Sequence, residues 1–126
     1  MEGNETILFV DDEEYLAEVG KEMLEDYGYE VDIETDSARA LNLFKADPDR
    51  YHLMVSDYTM PGMKGDELVS QIHAVRPHLP VILCSGTHLD AGQVEKSQVS
   101  KVLLKPFDMD VLISAVREVL DGGVSG

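Results

Sequence analysis

The chain has one cysteine in 126 residues, few basic side chains and no long apolar run. As the sole cysteine, Cys84 excludes an internal disulfide. It lies in the run Val81-Ile82-Leu83-Cys84 and is expected to behave as a small buried hydrophobe, which fits a reducing compartment. Ten Lys and Arg stand against 25 Asp and Glu, giving a net charge of −15. Such a surface repels phosphate backbones and anionic bilayers, so direct nucleic-acid binding and membrane-surface binding are not expected. No stretch approaches the roughly 20 apolar residues of a membrane span, so no membrane insertion is expected. Met1 to Glu5 lack the basic and apolar segments of a signal peptide, and a cytoplasmic location is the expectation. His52, His73, His78 and His88 lack the close paired spacing of a zinc site. No glycine-rich phosphate cradle follows the first apolar run. Asp11-Asp12-Glu13-Glu14 stand there instead, which disfavours a nucleotide or flavin module.

What the chain does have is five short strand-like runs alternating with helical patterns, the mark of βα repeats on a parallel sheet. Four runs are continuously apolar, as expected for strands covered on both faces. The fifth, Val31 and Ile33 between Glu30 and Glu34, alternates and suits an outer strand. Helices are predicted over 13–27, with Leu16, Val19, Gly20, Met23 and Tyr27 inward and Gly28 as the left-handed stop. A second opens at Asp36-Ser37, turns Leu41 and Phe44 inward and ends at Asp47-Pro48. Leu68, Ile72 and Val75 mark a third, and residues 91–98 a short fourth. Asp108 caps a fifth, with Phe107 stapled on Leu112 and an inner face of Met109, Leu112, Ile113, Val116 and Leu120. The expected fold is α/β: a doubly wound, five-stranded parallel sheet in the order 2-1-3-4-5 with helices on both faces. One domain spans 1–126, with a core of about 6–120 and a tail or linker at 121–126. In such a sheet ligands bind at the switch point, beside the carboxyl ends of strands 1 and 3.

The ends of the runs carry the chemistry. The first leads into Asp11-Asp12, the third through Ser56 into Asp57, the fourth into Ser85 and the last into Lys105-Pro106. Singly, each reads as a turn residue, a helix cap or a solvated charge. Converging at one sheet edge, they make a different unit. Three close carboxylates cannot all ionise without a cation, and oxygen donors select Mg2+ or Mn2+. Asp57 could then attack phosphorus in line and form an acyl phosphate. Lys105 and the Ser85 hydroxyl could each meet one of the transferred group's oxygens.

The motifs Phe9-Val10-Asp11-Asp12-Glu13, Ser56-Asp57-Tyr58-Thr59-Met60-Pro61-Gly62-Met63, Ser85-Gly86 and Lys105-Pro106-Phe107, in this order and spacing, are those of a known family. Over Thr6 to Leu120 the chain resembles a response-regulator receiver domain, the phospho-accepting module of two-component signalling, with a CheY-like, flavodoxin-like fold. The resemblance implies that Asp57 is the phospho-acceptor. It also implies that Asp12 binds the metal directly, Asp11 does so through water, and the Thr59 backbone carbonyl completes the protein ligands. Lys105 would contact the phosphoryl group, the bond to Pro106 would be cis, Ser85 would be the switch hydroxyl, and Gly65 matches the glycine before the third helix. The implied phosphate donor is a histidine kinase or a histidine phosphotransfer domain. The implied receiver is a monomer or weak dimer that catalyses only its own phosphorylation and dephosphorylation.

Two departures stand out. Val102 occupies the position where the family usually has an aromatic switch residue. The stretch around the fourth helix is also short, so output is expected through another surface or by competition for phosphate. Tyr15 and Pro106, with Met60, Pro61 and Met63, could form a lip on which a kinase-side helix docks. The competing enzyme reading is an aspartate-nucleophile phosphatase. It calls for a second Asp two residues after the nucleophile, where this chain has Thr59.

Overall fold

The computed structural model describes residues 4–86 and 99–122. Each strand-like run forms a strand: β1 (Thr6–Val10), β2 (Glu30–Glu34), β3 (Leu53–Asp57), β4 (Val81–Ser85) and β5 (Lys101–Leu104). The helices are α1 (Glu14–Glu25), α2 (Ser37–Ala46), α3 (Gly65–Val75) and α4 (Met109–Leu120), with a 3-10 turn at Pro48–Arg50. The predicted short helix at 91–98 and the end of the predicted tail, 123–126, lie outside the described residues. All neighbouring strands are parallel, in the order β2-β1-β3-β4-β5.

Two hydrophobic layers flank the sheet, because successive strand side chains point to opposite faces. Ile7, Phe9, Val55, Ile82, Cys84 and Leu103 form one layer with Leu24 of α1 and Leu112, Ile113 and Val116 of α4. Leu8, Val10, Met54, Val81 and Leu83 form the other with Leu41 and Phe44 of α2 and Leu68, Val69 and Ile72 of α3. Every residue of β3 and β4 is buried, which accounts for the apolar runs Leu53–Val55 and Val81–Cys84 that lead into their polar ends. Each fully buried Leu, Ile or Phe contributes about 1.5–3 kcal/mol relative to exposure.

The edge strand β2 behaves differently. Val31 and Ile33 face the α1 layer. Asp32 turns the other way, where it accepts hydrogen bonds from Arg50 Nε at 2.8 Å and Tyr51 Oη at 2.7 Å. Arg50 also pairs with Glu30 at 2.7 Å.

Three local expectations need correction. The buried stripe of α1 is Ala17, Gly20 and Leu24, while Tyr27 lies beyond the helix end and is 43% exposed. The reason is close packing: a Cβ on Gly20 would come 2.7 Å from the Phe9 ring, so the helix meets the sheet through its smallest residues. Gly28 does take positive φ, at 94°, where the chain turns into β2. In α3, Leu68 and Ile72 are buried as expected and Val69 joins them, but Val75 is 39% exposed. Asp108 stands at the N-cap of α4, yet its side chain makes no capping bond. Its backbone carbonyl accepts from Val111 and Leu112 instead.

Candidate functional site

The strand register explains why the acidic residues meet. Val10 of β1 lies opposite Ser56 of β3, so the next residue on each strand brings Asp11 beside Asp57. The Asp11 N–H donates to the Glu34 carbonyl at 3.1 Å, which extends the β1–β2 ladder by one residue. The Tyr58 N–H likewise donates to the Cys84 carbonyl at 2.8 Å, and the Lys105 N–H to the Ser85 carbonyl at 2.7 Å. The residues just past the strands are therefore held almost as firmly as the strands.

Asp11, Asp12 and Asp57 offer carboxylate oxygens that all lie within 4.8 Å of one another. Asp11 and Asp57 are buried and Asp12 is exposed. Lys105 Nζ stands 3.1 Å from Asp57 Oδ1 and 3.6 Å from Asp11 Oδ2. The other Asp11 oxygen accepts from the Glu13 N–H at 2.9 Å, at the entry to α1. One ammonium thus pairs with two of the three clustered carboxylates. Burial pushes the Asp57 carboxyl above the usual carboxylate range; Lys105 pulls it back, while Asp11 and Asp12 push it further up. Burial works against the charge of Lys105, but its hydrogen bond to Asp57 and the fields of Asp11 and Asp57 outweigh it and raise its pKa. Burial also carries the Cys84 thiol up to about 12. An all-oxygen set with excess negative charge, open on the Asp12 side, fits a hard divalent cation.

The remaining predicted residues surround this cluster. Ser85 is buried at the end of β4. Thr59 is exposed, two residues beyond Asp57, in the loop 58–64. The Lys105–Pro106 peptide bond is cis, and Pro106 is exposed. Tyr15 projects from the first turn of α1 and is 78% exposed. Val102 is half-buried and packs with Val99 against the α2–α3 layer. Gly65 opens α3 against the acceptor backbone: its N–H donates to the Tyr58 carbonyl at 2.7 Å, and a Cβ there would lie 2.5 Å from the Asp57 carbonyl oxygen.

Beside Lys105 a cavity of about 190 Å³ is walled by Phe9, Leu16, Cys84, Phe107, Met109 and Leu112. A larger open groove, about 1090 Å³, runs past Glu5, Tyr29 and Arg117 and contains none of the three clustered aspartates. The chemistry therefore follows the smaller cavity.

Sequence reasoning missed Ser37. It reads there as part of a helix opening, but the cap of α2 is Asp36, whose carboxylate accepts from the Arg39 N–H at 2.9 Å. The buried Ser37 hydroxyl instead donates to the Met63 carbonyl at 2.8 Å, within the loop that follows Asp57. The sequence offers no periodic or motif signal for this contact.

Comparison with known proteins agrees with this arrangement. The model of the response regulator receiver domain matches residues 7–117. The C4-dicarboxylate transport transcriptional regulatory protein DctD of Pseudomonas aeruginosa is 36% identical over 118 residues, 91% of this chain. The chain spans only 25% of that relative's length. Among solved structures, a response regulator receiver domain protein from Clostridium thermocellum is similar with a TM-score of 0.86 at 26% identity, covering 94% of this chain and 96% of that one. The response regulator TrrA of Thermotoga maritima, solved in complex with Mg2+ and BeF, is similar with a TM-score of 0.80 at 28% identity, covering 91% and 98%. The family match, the sheet order and the buried aspartates at its switch point converge, and the chain belongs to the response regulator receiver domains of two-component systems.

Proposed function

We propose that Asp57 accepts a phosphoryl group from a phosphohistidine on a histidine kinase or a histidine phosphotransfer domain, in a reaction that depends on Mg2+ or Mn2+. The observation that carries this reading is the Lys105 ammonium 3.1 Å from Asp57 Oδ1, inside a cluster of three aspartates. An Asp57 oxygen attacks phosphorus in line, the P–N bond to the donor histidine breaks, and an acyl phosphate results. Asp12, Asp57 and the Thr59 carbonyl hold the cation, with Asp11 acting through water. When bound, the cation neutralises charge on the transferred group. Lys105 and Ser85 take up its other oxygens. The donor's helix docks over Tyr15 and Pro106, both of which are exposed.

In this reading residues 6–120 act as one domain that is a monomer or weak dimer in the cytoplasm. It catalyses only its own phosphorylation and dephosphorylation, then switches or relays the signal. Val102 in place of an aromatic residue favours output by onward transfer or through a surface other than the usual switch face. Thr59, where a phosphatase of this chemistry would need its acid, argues against turnover of external phosphoesters.

A structure grown with Mg2+ and beryllofluoride tests these roles. It should hold beryllium on Asp57 Oδ, Mg2+ against Asp12 and the Thr59 carbonyl, and fluorine atoms against Lys105 and Ser85. Beryllofluoride bound elsewhere, or a cation held without Asp12, would overturn the assignment.

A further inference from the structure

We propose that Ser37 is a positioning residue for the cation site: by holding the Met63 carbonyl, its hydroxyl sets the course of the loop that carries Thr59. This rests on the reading of Asp12, Asp57 and the Thr59 carbonyl as cation ligands. The loop 58–64 is tied at its two ends. The Tyr58 N–H is held by the Cys84 carbonyl at 2.8 Å, and the Tyr58 carbonyl by the Gly65 N–H at 2.7 Å. Between those ties the backbone has little of its own to fix it. Thr59 is exposed, and Gly62 takes a φ of +79° with nothing within 4 Å of where a Cβ would stand.

The interior of the loop is gripped at Met60 and Met63, and both grips meet at Ser37. Its Oγ lies 2.8 Å from the Met63 carbonyl oxygen and 3.6 Å from Met60 Sδ. Ser37 and Met60 are 2% and 5% exposed, so water does not readily replace these contacts. Because Asp36 caps α2 with its own carboxylate, the Ser37 hydroxyl is released from the helix and spans from α2 to the loop. Removing it leaves the Met63 carbonyl without its α2 partner and frees the turn that delivers the Thr59 carbonyl. A carbonyl ligand gives up little affinity for a tolerant ion when it drifts. It gives up much more for Mg2+, which demands near-ideal octahedral geometry, than for Ca2+, which accepts irregular coordination.

Calorimetric titration of the full chain with MgCl2 and with CaCl2, for wild type and Ser37→Ala, tests this. The Mg2+ Kd should rise roughly tenfold, the low end for hydrogen bonds that orient metal ligands, and the Ca2+ Kd should rise clearly less. If Ser37→Ala does not fold, Ser37→Cys keeps nearly the same volume with a weaker donor and should show the same ordering with a smaller loss. Unchanged Mg2+ affinity, or equal loss for both ions, would overturn the positioning role. A wild-type chain that binds neither ion, or binding unaffected by Asp57→Asn, would overturn the cation reading beneath it instead.

Discussion

A methyl group on Gly65 would sit 2.5 Å from the Asp57 carbonyl oxygen and 2.7 Å from the Tyr58 Cα. Both neighbours are backbone, so neither can rotate away. Gly65→Ala should therefore cost about 1–3 kcal/mol through overpacking, seen as a lower urea midpoint, and should slow labelling by acetyl phosphate. An unchanged midpoint with normal labelling would contradict the packing argument. At Asp57 the electrostatics make a separate prediction. Its carboxyl titrates above the ordinary range because it is buried. The folded protein then holds that proton more tightly than the unfolded chain, so the stabilisation is present at acid pH and is lost as pH rises through the folded-state pKa. In the presence of chelator at pH 7, Asp57→Asn should melt higher than wild type, and the gap should close on acidification. Wild type melting higher would contradict it. Asp11, Asp12, Asp57, Ser85 and Lys105 were legible in the sequence because each comes at or just past the end of an apolar run. Ser37 was not, since its partner is a backbone carbonyl 26 residues away.

The edge strand supplies the prediction at the scale of elements. Asp32 of β2 titrates below the ordinary Asp range, first because Arg50 hydrogen-bonds it and then because Tyr51 does, against an opposing cost of burial. A lowered carboxyl pKa contributes stability that is present above the unfolded value and is lost as pH falls through the folded one. Asp32→Asn should therefore flatten the acid limb of the stability profile between about pH 4 and lower values, with a smaller change near neutrality in high salt. Melting curves from pH 2 to 7 check this, and an acid limb as steep as wild type would contradict it. β3 and β4 were readable as strands because burial on both faces writes Leu53–Val55 and Val81–Cys84 as continuous apolar runs. The inner stripe of α1 was legible at Gly20 and Met23, whereas Ala17 was missed because it packs by being small and a count of bulky apolar residues passes over it.

For the molecule as a whole, the order β2-β1-β3-β4-β5 turns scattered residues into one site. Asp11 and Asp57 come from adjacent central strands, Lys105 crosses from the far edge, and Asp12 stays open to solvent. That order is one of the common doubly wound orders, and with right-handed crossovers it sets helices on both faces and a switch point between β1 and β3. The side-chain distances, the cavity beside Lys105 and the grip of α2 on the loop 58–64 come from three-dimensional packing, which no sequence period records. The most direct test of Asp57 as acceptor is intact mass after incubation with acetyl phosphate and Mg2+. A single phosphoryl adduct is expected, labile to base, abolished by chelator and absent in Asp57→Asn. An adduct that persists in Asp57→Asn, or none on the wild-type chain, would contradict the account.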